Sequence, residues 1–168
     1  MAILKNQTVI ITRMGKGVKM RILAYRGISI ISKLIKFQTR SIHSHIGIQL
    51  NDGSVVEAWQ NGGVRRIENP QDGHKLGTDI DVYRIRGFLD EEAATAYLYG
   101  CIGQKYDYSS VARFVTRRKA TDNTKKFCSE LAELAMREGG LNLLNGNPSE
   151  HSPRDTALSP YLEFLKTI

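Results

Sequence analysis

Apolar and polar positions along the chain fall into short blocks of two different periods. Gln7–Thr12 is rich in β-branched residues and predicts a first strand, broken by Gly15 and Gly17. In Ile28–Phe37, the residues Ile28, Ile31, Leu34 and Ile35 recur at helical spacing and predict an amphipathic helix. Ser44–Leu50 and Ser54–Gln60 predict two strands joined through Asn51-Asp52-Gly53, residue types that favour a hairpin turn. Val64–Ile67 and Asp79–Ile85 predict further strands, the latter setting Ile80, Val82 and Arg84 against Asp81, Tyr83 and Ile85. Asp90 is an N-cap for a helix running to Cys101. Helices are also predicted over Ser109–Arg118 and Phe127–Arg137, the last with Phe127, Leu131, Leu134 and Ala135 on one face and Gly139-Gly140 at its end. Pro148, Pro153 and Pro160 predict an extended tail up to a short helix near Tyr161–Leu165. A helix, a meander of strands and then helices indicates the α+β class, with an antiparallel sheet packed against helices. No internal repeat or low-complexity linker interrupts the 168 residues, so residues 1–168 are expected to form a single domain.

Composition narrows the class. With 41% hydrophobic and 24% charged residues, disordered and fibrous types are excluded. No stretch approaches the ~18–20 apolar residues of a membrane span, and the opening lacks the pattern of a secretory signal, so a cytoplasmic location is expected. The net charge of +7 is uneven: Lys5, Arg13, Lys16, Lys19, Arg21, Arg26, Lys33, Lys36 and Arg40 occur with no acidic residue among them, and Arg113, Arg117, Arg118 and Lys119 form a second cluster. Such patches attract nucleic acid, acidic lipid or acidic polymers, or simply form a solvated face. No nucleic-acid motif accompanies the charge, so specific nucleic-acid binding is not expected; contact with acidic lipid or another anionic surface through the basic N-terminal third is open. The Ile28–Phe37 helix either touches such a surface or packs in the core with its lysines snorkelling outward.

Two cysteines in 168 residues are no disulfide scaffold, and no C-x-x-C pair suggests structural zinc. Their settings differ. Cys128 starts a helix, where unpaired N–H groups and the dipole favour a thiolate, whereas Cys101 ends one within apolar LYGCIG and suits a buried, inert thiol. If Asn51-Asp52-Gly53 is a three-residue loop, Leu50 pairs with Ser54, Ile48 with Val56 and Ile46 with Ala58 on an inward apolar face. The other face then carries His45, Gly47, Val55, Glu57 and Trp59, with His45 and Glu57 diagonal neighbours within hydrogen-bond reach. A nucleophile needs a base, and the base an orienting partner; Cys128, His45 and Glu57 offer that set. Other histidines have other readings. His43 and His45, two apart, can be joined with Cys128 as metal ligands, while His74 and His151 lie in turn-like contexts and are expected to face solvent. Tyr106 and Tyr108 either line a site or pack.

Ser44-His45-Ile46-Gly47-Ile48, Val56-Glu57-Ala58 and Phe127-Cys128-Ser129-Glu130-Leu131 resemble the NlpC-type papain-like superfamily. They are most similar to its permuted YiiX/YebB-like branch, relatives of lecithin retinol acyltransferase, in which the histidine strand precedes the cysteine helix. The similarity extends from about Thr8 to Pro160, including Lys105-Tyr106-Asp107-Tyr108 and Ser152-Pro153-Arg154-Asp155. This resemblance implies a circularly permuted papain-like fold, with Cys128 as nucleophile, His45 as general base and Glu57 as orienting residue. It implies acyl transfer through a thioester, with neither cofactor nor metal. The expected substrate is an amide bond in a peptide or a peptidoglycan-derived fragment. An acyltransferase or thioesterase on lipids is the alternative within the same chemistry, and an inactive binding module is the alternative outside it.

Overall fold

The computed structural model describes residues 19–106 and 125–168. The strand expected at 7–12, the helix at 109–118, Tyr108 and the basic cluster at 113–119 lie outside the described residues.

The centre of the fold is a strand that the polar–apolar pattern did not predict. β1 (Arg21–Tyr25) has Ile22, Leu23, Ala24 and Tyr25 all fully buried, because both its faces are covered. A strand covered on both sides shows no alternation, which is why a period-two search passes over it. β2 (His45–Gln49) pairs antiparallel on one side of it, with Tyr25 opposite His45, and β5 (Ile80–Ile85) pairs antiparallel on the other. With β3 (Val55–Trp59), β4 (Gly63–Ile67) and β8 (Leu162–Thr167), the order is β4-β3-β2-β1-β5-β8, and every neighbouring pair is antiparallel. A separate two-stranded parallel pair joins β6 (Lys105–Tyr106) to β7 (Lys125–Lys126). The expected α+β class and antiparallel sheet are present.

Helices cover one face. Ile22, Ala24, Ile46, Ile48, Val56 and Ala58 form the main core with α2 (Glu91–Cys101) and α3 (Cys128–Glu138). The buried stripe of α3 is Cys128, Leu131, Ala132, Ala135 and Met136, with Leu134 only half-buried. On the opposite face Leu23, Tyr25, Val55, Ile80 and Val82 make a smaller cluster. The helix starts are sealed locally: Ser29 caps α1 (Ile30–Thr39), and the Asp90 carboxylate accepts from the N–H groups of Glu92 and Ala93. In α1 Ile35 is the one buried apolar side chain among those described, while Leu34 and Phe37 stand out toward solvent. Among the described residues, no helix is long and apolar enough to cross a membrane.

The short helix expected near Tyr161–Leu165 is instead strand β8. Its residues close the otherwise open edge of β5, with Phe164 packing edge-on against Tyr83 at 5.8 Å. Unpaired edge groups outweigh a weak local helix preference. The tail before it is not wholly extended: a 3₁₀ turn at Pro148–Glu150 and α4 (Pro153–Ala157) precede the strand.

Gly63 ties the far edge of the sheet to the segment after α2. Its φ is +79°, and a Cβ there would collide with the carbonyl of Gln104. That carbonyl accepts from Val64 N–H at 2.8 Å. Gly63→Ala therefore combines a strained backbone with a backbone clash, and is expected to lower stability by at least ~2 kcal/mol in a urea titration.

Candidate active site

The hairpin sets the site's geometry. Asp52 accepts from both the N–H and the hydroxyl of Ser54, at 2.9 and 2.6 Å, and Gly53 takes a φ of +90°. The resulting register places Ile48 opposite Val56 and Gly47 opposite Glu57, so His45 and Glu57 are diagonal neighbours on one face. His45 Nε2 lies 2.7 Å from Glu57 Oε2. Gly47 between them is tight: a Cβ there would sit 2.9 Å from Val55 Cγ1 and 3.2 Å from the Tyr25 ring.

Glu57 is fully buried and carries more than one partner. Arg65, directly opposite on β4, gives Glu57 Oε1 two N–H bonds at 2.9 and 2.6 Å. His74 Nε2 reaches Oε2 at 3.0 Å. The expectation that His74 faces solvent is thus incorrect: its side chain is 4% exposed. It stacks flat on Tyr25 at 4.0 Å and meets the edge of Trp59 at 4.7 Å, while the Tyr25 hydroxyl donates to the Pro70 carbonyl at 3.0 Å. Arg65 lies over the Trp59 ring at 4.4 Å.

These contacts set the protonation of the cluster. Burial alone would push Glu57 up, but the His45 charge and its hydrogen bond, followed by those of His74, hold the carboxyl well below the usual range. For His45, burial is the largest influence and opposes the cation. The Cys128 sulfur and the Glu57 carboxylate, each through charge and a side-chain hydrogen bond, outweigh it and raise the imidazole to about 10. His74 goes the other way, lowered by burial despite its bond to Glu57. With His45 Nε2 taken by Glu57, Nδ1 is the ring nitrogen left for the sulfur.

Cys128 is the first residue of α3 and is fully buried. The Glu130 carboxylate folds back to accept from Phe127 N–H, and the N–H groups of the first turn lie at the positive end of the helix. A cavity of about 40 Å³ opens beside His45, lined by Ser29, Ser44, Trp59, Gln60 and Tyr106 among others. Tyr106 fits both of its expected roles, since it lines this cavity and packs 5.9 Å from the Phe127 ring.

The remaining histidines belong elsewhere. His43 does not join a metal set with His45 and Cys128: its Nε2 is 2.7 Å from Asp81 Oδ2, and Asp81 also accepts from Arg26 and Thr167. His151 is not a solvent-facing turn residue either. Its Nδ1 is 2.7 Å from the buried Glu133, whose other oxygen accepts from Thr156, fastening α3 to the C-terminal turns. His74 and Arg65 are the site residues that sequence reasoning missed. Arg65 was within reach, because alternation along Val64–Ile67 puts it on the face of Glu57 once β3 and β4 are paired. Nothing local marks His74, which is positioned by ring stacking across the sheet.

Among the described residues, His45, Glu57 and His74 form one group whose ligand atoms all lie within 4.8 Å of one another. Two imidazoles and a carboxylate are a donor set that zinc-class ions accept.

No family model matches the chain, and no curated protein does. Among solved structures the chain is similar to the metalloprotein YiiX from Escherichia coli O157:H7, with a TM-score of 0.69 over 90% of this chain and 97% of that one, at 19% identity. That likeness shows a YiiX-like fold.

Proposed function

We propose that the chain is a cysteine-dependent acyl-transfer enzyme of the permuted papain-like type, most simply a hydrolase of amide bonds. One observation supports the reading: the His45 imidazole lies 2.7 Å from the buried Glu57 carboxylate, and Cys128, the first residue of a helix, is among the groups that raise its pKa. The order of the parts, histidine strand before cysteine helix, and the YiiX-like fold support the permuted assignment.

In this reading the Cys128 thiolate attacks the carbonyl carbon, forming an S–C bond, while backbone N–H groups at the helix start, including that of Cys128, stabilise the oxyanion. Collapse breaks the C–N bond, and the proton on His45 Nδ1 goes to the departing amine. Water then adds to the thioester, giving its proton back to His45, and the S–C bond breaks to release the acid. Glu57 keeps Nε2–H engaged throughout, and Arg65 fixes the carboxylate.

The substrate proposed is a peptide or a peptidoglycan-derived fragment. Incubation with a panel of muropeptides, short peptides and phospholipids, followed by mass spectrometry, should leave an acyl adduct on Cys128 from the peptide-like members. An adduct from phospholipid alone would establish the lipid alternative, and an unmodified Cys128 throughout would remove the enzyme reading.

Thiol reactivity tests the same site without a substrate. Cys101 and Cys128 are both buried, at 3% and 0% exposure, so burial does not separate them. Cys101 has the Tyr97 hydroxyl as its side-chain partner, while Cys128 has His45. Iodoacetamide at about pH 6 is expected to modify Cys128 first, with Cys101 following only on unfolding, and His45→Ala should slow the first reaction at least ~10-fold. Labelling of Cys101 first, or indifference to His45, would count against the nucleophile assignment.

YiiX is described as a metalloprotein. In this chain the residues that fit such an ion are His45, Glu57 and His74, and a bound divalent cation would supply a fixed positive charge between the two imidazoles and the carboxylate.

A further inference from the structure

We infer that His74 completes a zinc-class divalent-cation site with His45 and Glu57, and that filling this site takes His45 out of service for Cys128. The second clause rests on the cysteine reading above; the first stands on the donor set alone.

The three donor atoms are nearly in position. His45 Nε2 and His74 Nε2 lie 2.7 and 3.0 Å from Glu57 Oε2, and all three fall within 4.8 Å of one another. Ligand atoms about 2.0–2.1 Å from a tetrahedral zinc are separated by roughly 3.3 Å, so the two His–Glu distances need to open by only a few tenths of an ångström, and the two imidazole nitrogens already lie within 4.8 Å of each other. The surroundings hold the donors in a form suited to one ion. Arg65 occupies Glu57 Oε1 with two N–H bonds, leaving Oε2 as the single coordinating oxygen. Tyr25 and Trp59 clamp the His74 ring from its face and its edge. Outer contacts of this kind orient ligands and raise metal affinity. Three protein donors leave a fourth position for water, the arrangement of an open rather than a closed structural zinc site.

The exclusion follows from valence. His45 Nε2 can carry either the hydrogen it shares with Glu57 or a metal ion, not both. With the ion on Nε2, the neutral ring must keep its one hydrogen on Nδ1, the nitrogen facing Cys128. His45 then neither delivers a proton to a leaving group nor accepts one from water. Cys128 is not a ligand in this arrangement: the donor group within 4.8 Å of one another is His45, Glu57 and His74. The hydrogen bonded to Glu57 and the cation therefore compete for Nε2, an ion there fixes the ring's one hydrogen on Nδ1 and stops the shuttle, and His74, which the acyl-transfer steps do not use, is the residue that makes the second state possible.

The experiment uses the full-length protein, stripped with a chelator and then titrated with Zn(II) or Co(II). Equilibrium dialysis should give one ion per chain, Zn(II) should raise the midpoint of thermal unfolding, and the Co(II) spectrum should lack thiolate charge transfer. His74→Gln should weaken Zn(II) retention at least ~10-fold and abolish the thermal shift, while Cys128→Ala should retain both. Circular dichroism of each variant establishes that the fold is intact, and His74→Asn serves as a second test if the Gln variant fails to fold. The acyl adduct on Cys128 should form in the stripped protein, disappear on adding Zn(II) and return with chelator. Failure of the stripped protein to bind Zn(II), or loss of binding in Cys128→Ala, overturns the site while leaving the cysteine reading standing. Binding of Zn(II) with undiminished adduct formation overturns the exclusion. An absent adduct without metal overturns the cysteine reading and the exclusion with it, while dialysis of the His74 variants still decides the site.

Discussion

Cys128→Ala protein is expected to lose turnover by at least ~10⁴-fold while remaining folded. If the S–C bond is the first bond made, no neighbouring group replaces the sulfur, and removal of a nucleophile from a cooperating set costs nearly the whole effect of the set. The structural cost is small by comparison. Cys128 sits in the main core beside Leu131 and Ala132, and trimming one sulfur there should lower stability by about 0.5–1.5 kcal/mol. Cys101→Ala is the control, since that equally buried thiol pairs with Tyr97 and should keep activity within about twofold. The measurement is turnover of the substrate identified through the Cys128 adduct, beside a urea titration of both variants. More than a percent of the parent rate in Cys128→Ala would place the nucleophile elsewhere.

Where an element is fixed by neighbours in the chain, its position was readable from the residues. Asn51-Asp52-Gly53 is the clearest case: the Asp52 carboxylate ties down Ser54, the register follows, and the register alone brings His45 to Glu57. The Asp90 cap and the Gly139-Gly140 stop are local in the same sense. Elements defined by distant partners were not readable. β1 is a strand because β2 and β5 flank it and both its faces are covered, so its Ile-Leu-Ala-Tyr run carries no period. β8 is a strand because β5, some eighty residues earlier, offers an edge. His74 belongs to this second group. It enters the site through stacking on Tyr25, a contact between residues forty-nine apart that no spacing rule anticipates. The candidate pair was thus written locally, and the group that surrounds the pair was written in the tertiary fold.

Glu57 is the position at which stability and the proposed chemistry are joined, and its replacement is expected to damage both. Its carboxylate is wholly buried and accepts from His45, His74 and Arg65 together. Glu57→Ala removes the shared acceptor, leaving Arg65, among the described residues, only the Asp72 carbonyl and the Trp59 ring. Arg65 is 28% exposed and can turn toward water, so the expected loss is at the lower end for a broken buried pair, about 3 kcal/mol. Glu57→Gln keeps the shape but supplies one acceptor oxygen and sets an NH₂ against either Arg65 or the two imidazoles; its turnover should fall by roughly 10²–10⁴-fold. The pH dependence of stability identifies the groups involved. His45 is raised to about 10, so its contribution is complete below the ordinary imidazole value of ~6.5, declines as pH rises and is gone above about 10. His74 is lowered, so it favours the folded state less as pH falls below ~6.5. Glu57 is lowered too, and its contribution is lost as pH falls below the ordinary carboxylate value of ~4.3. Stability of the parent protein should therefore peak near neutral-to-slightly-acid pH and fall on both sides. In Glu57→Gln the alkaline fall should shrink, because His45 has lost the carboxylate that helps hold its proton, and the Glu57 part of the acid fall should vanish. Urea midpoints measured from pH 4 to pH 10 read both effects; identical profiles for parent and Glu57→Gln would show that the carboxylate does not govern the protonation of His45.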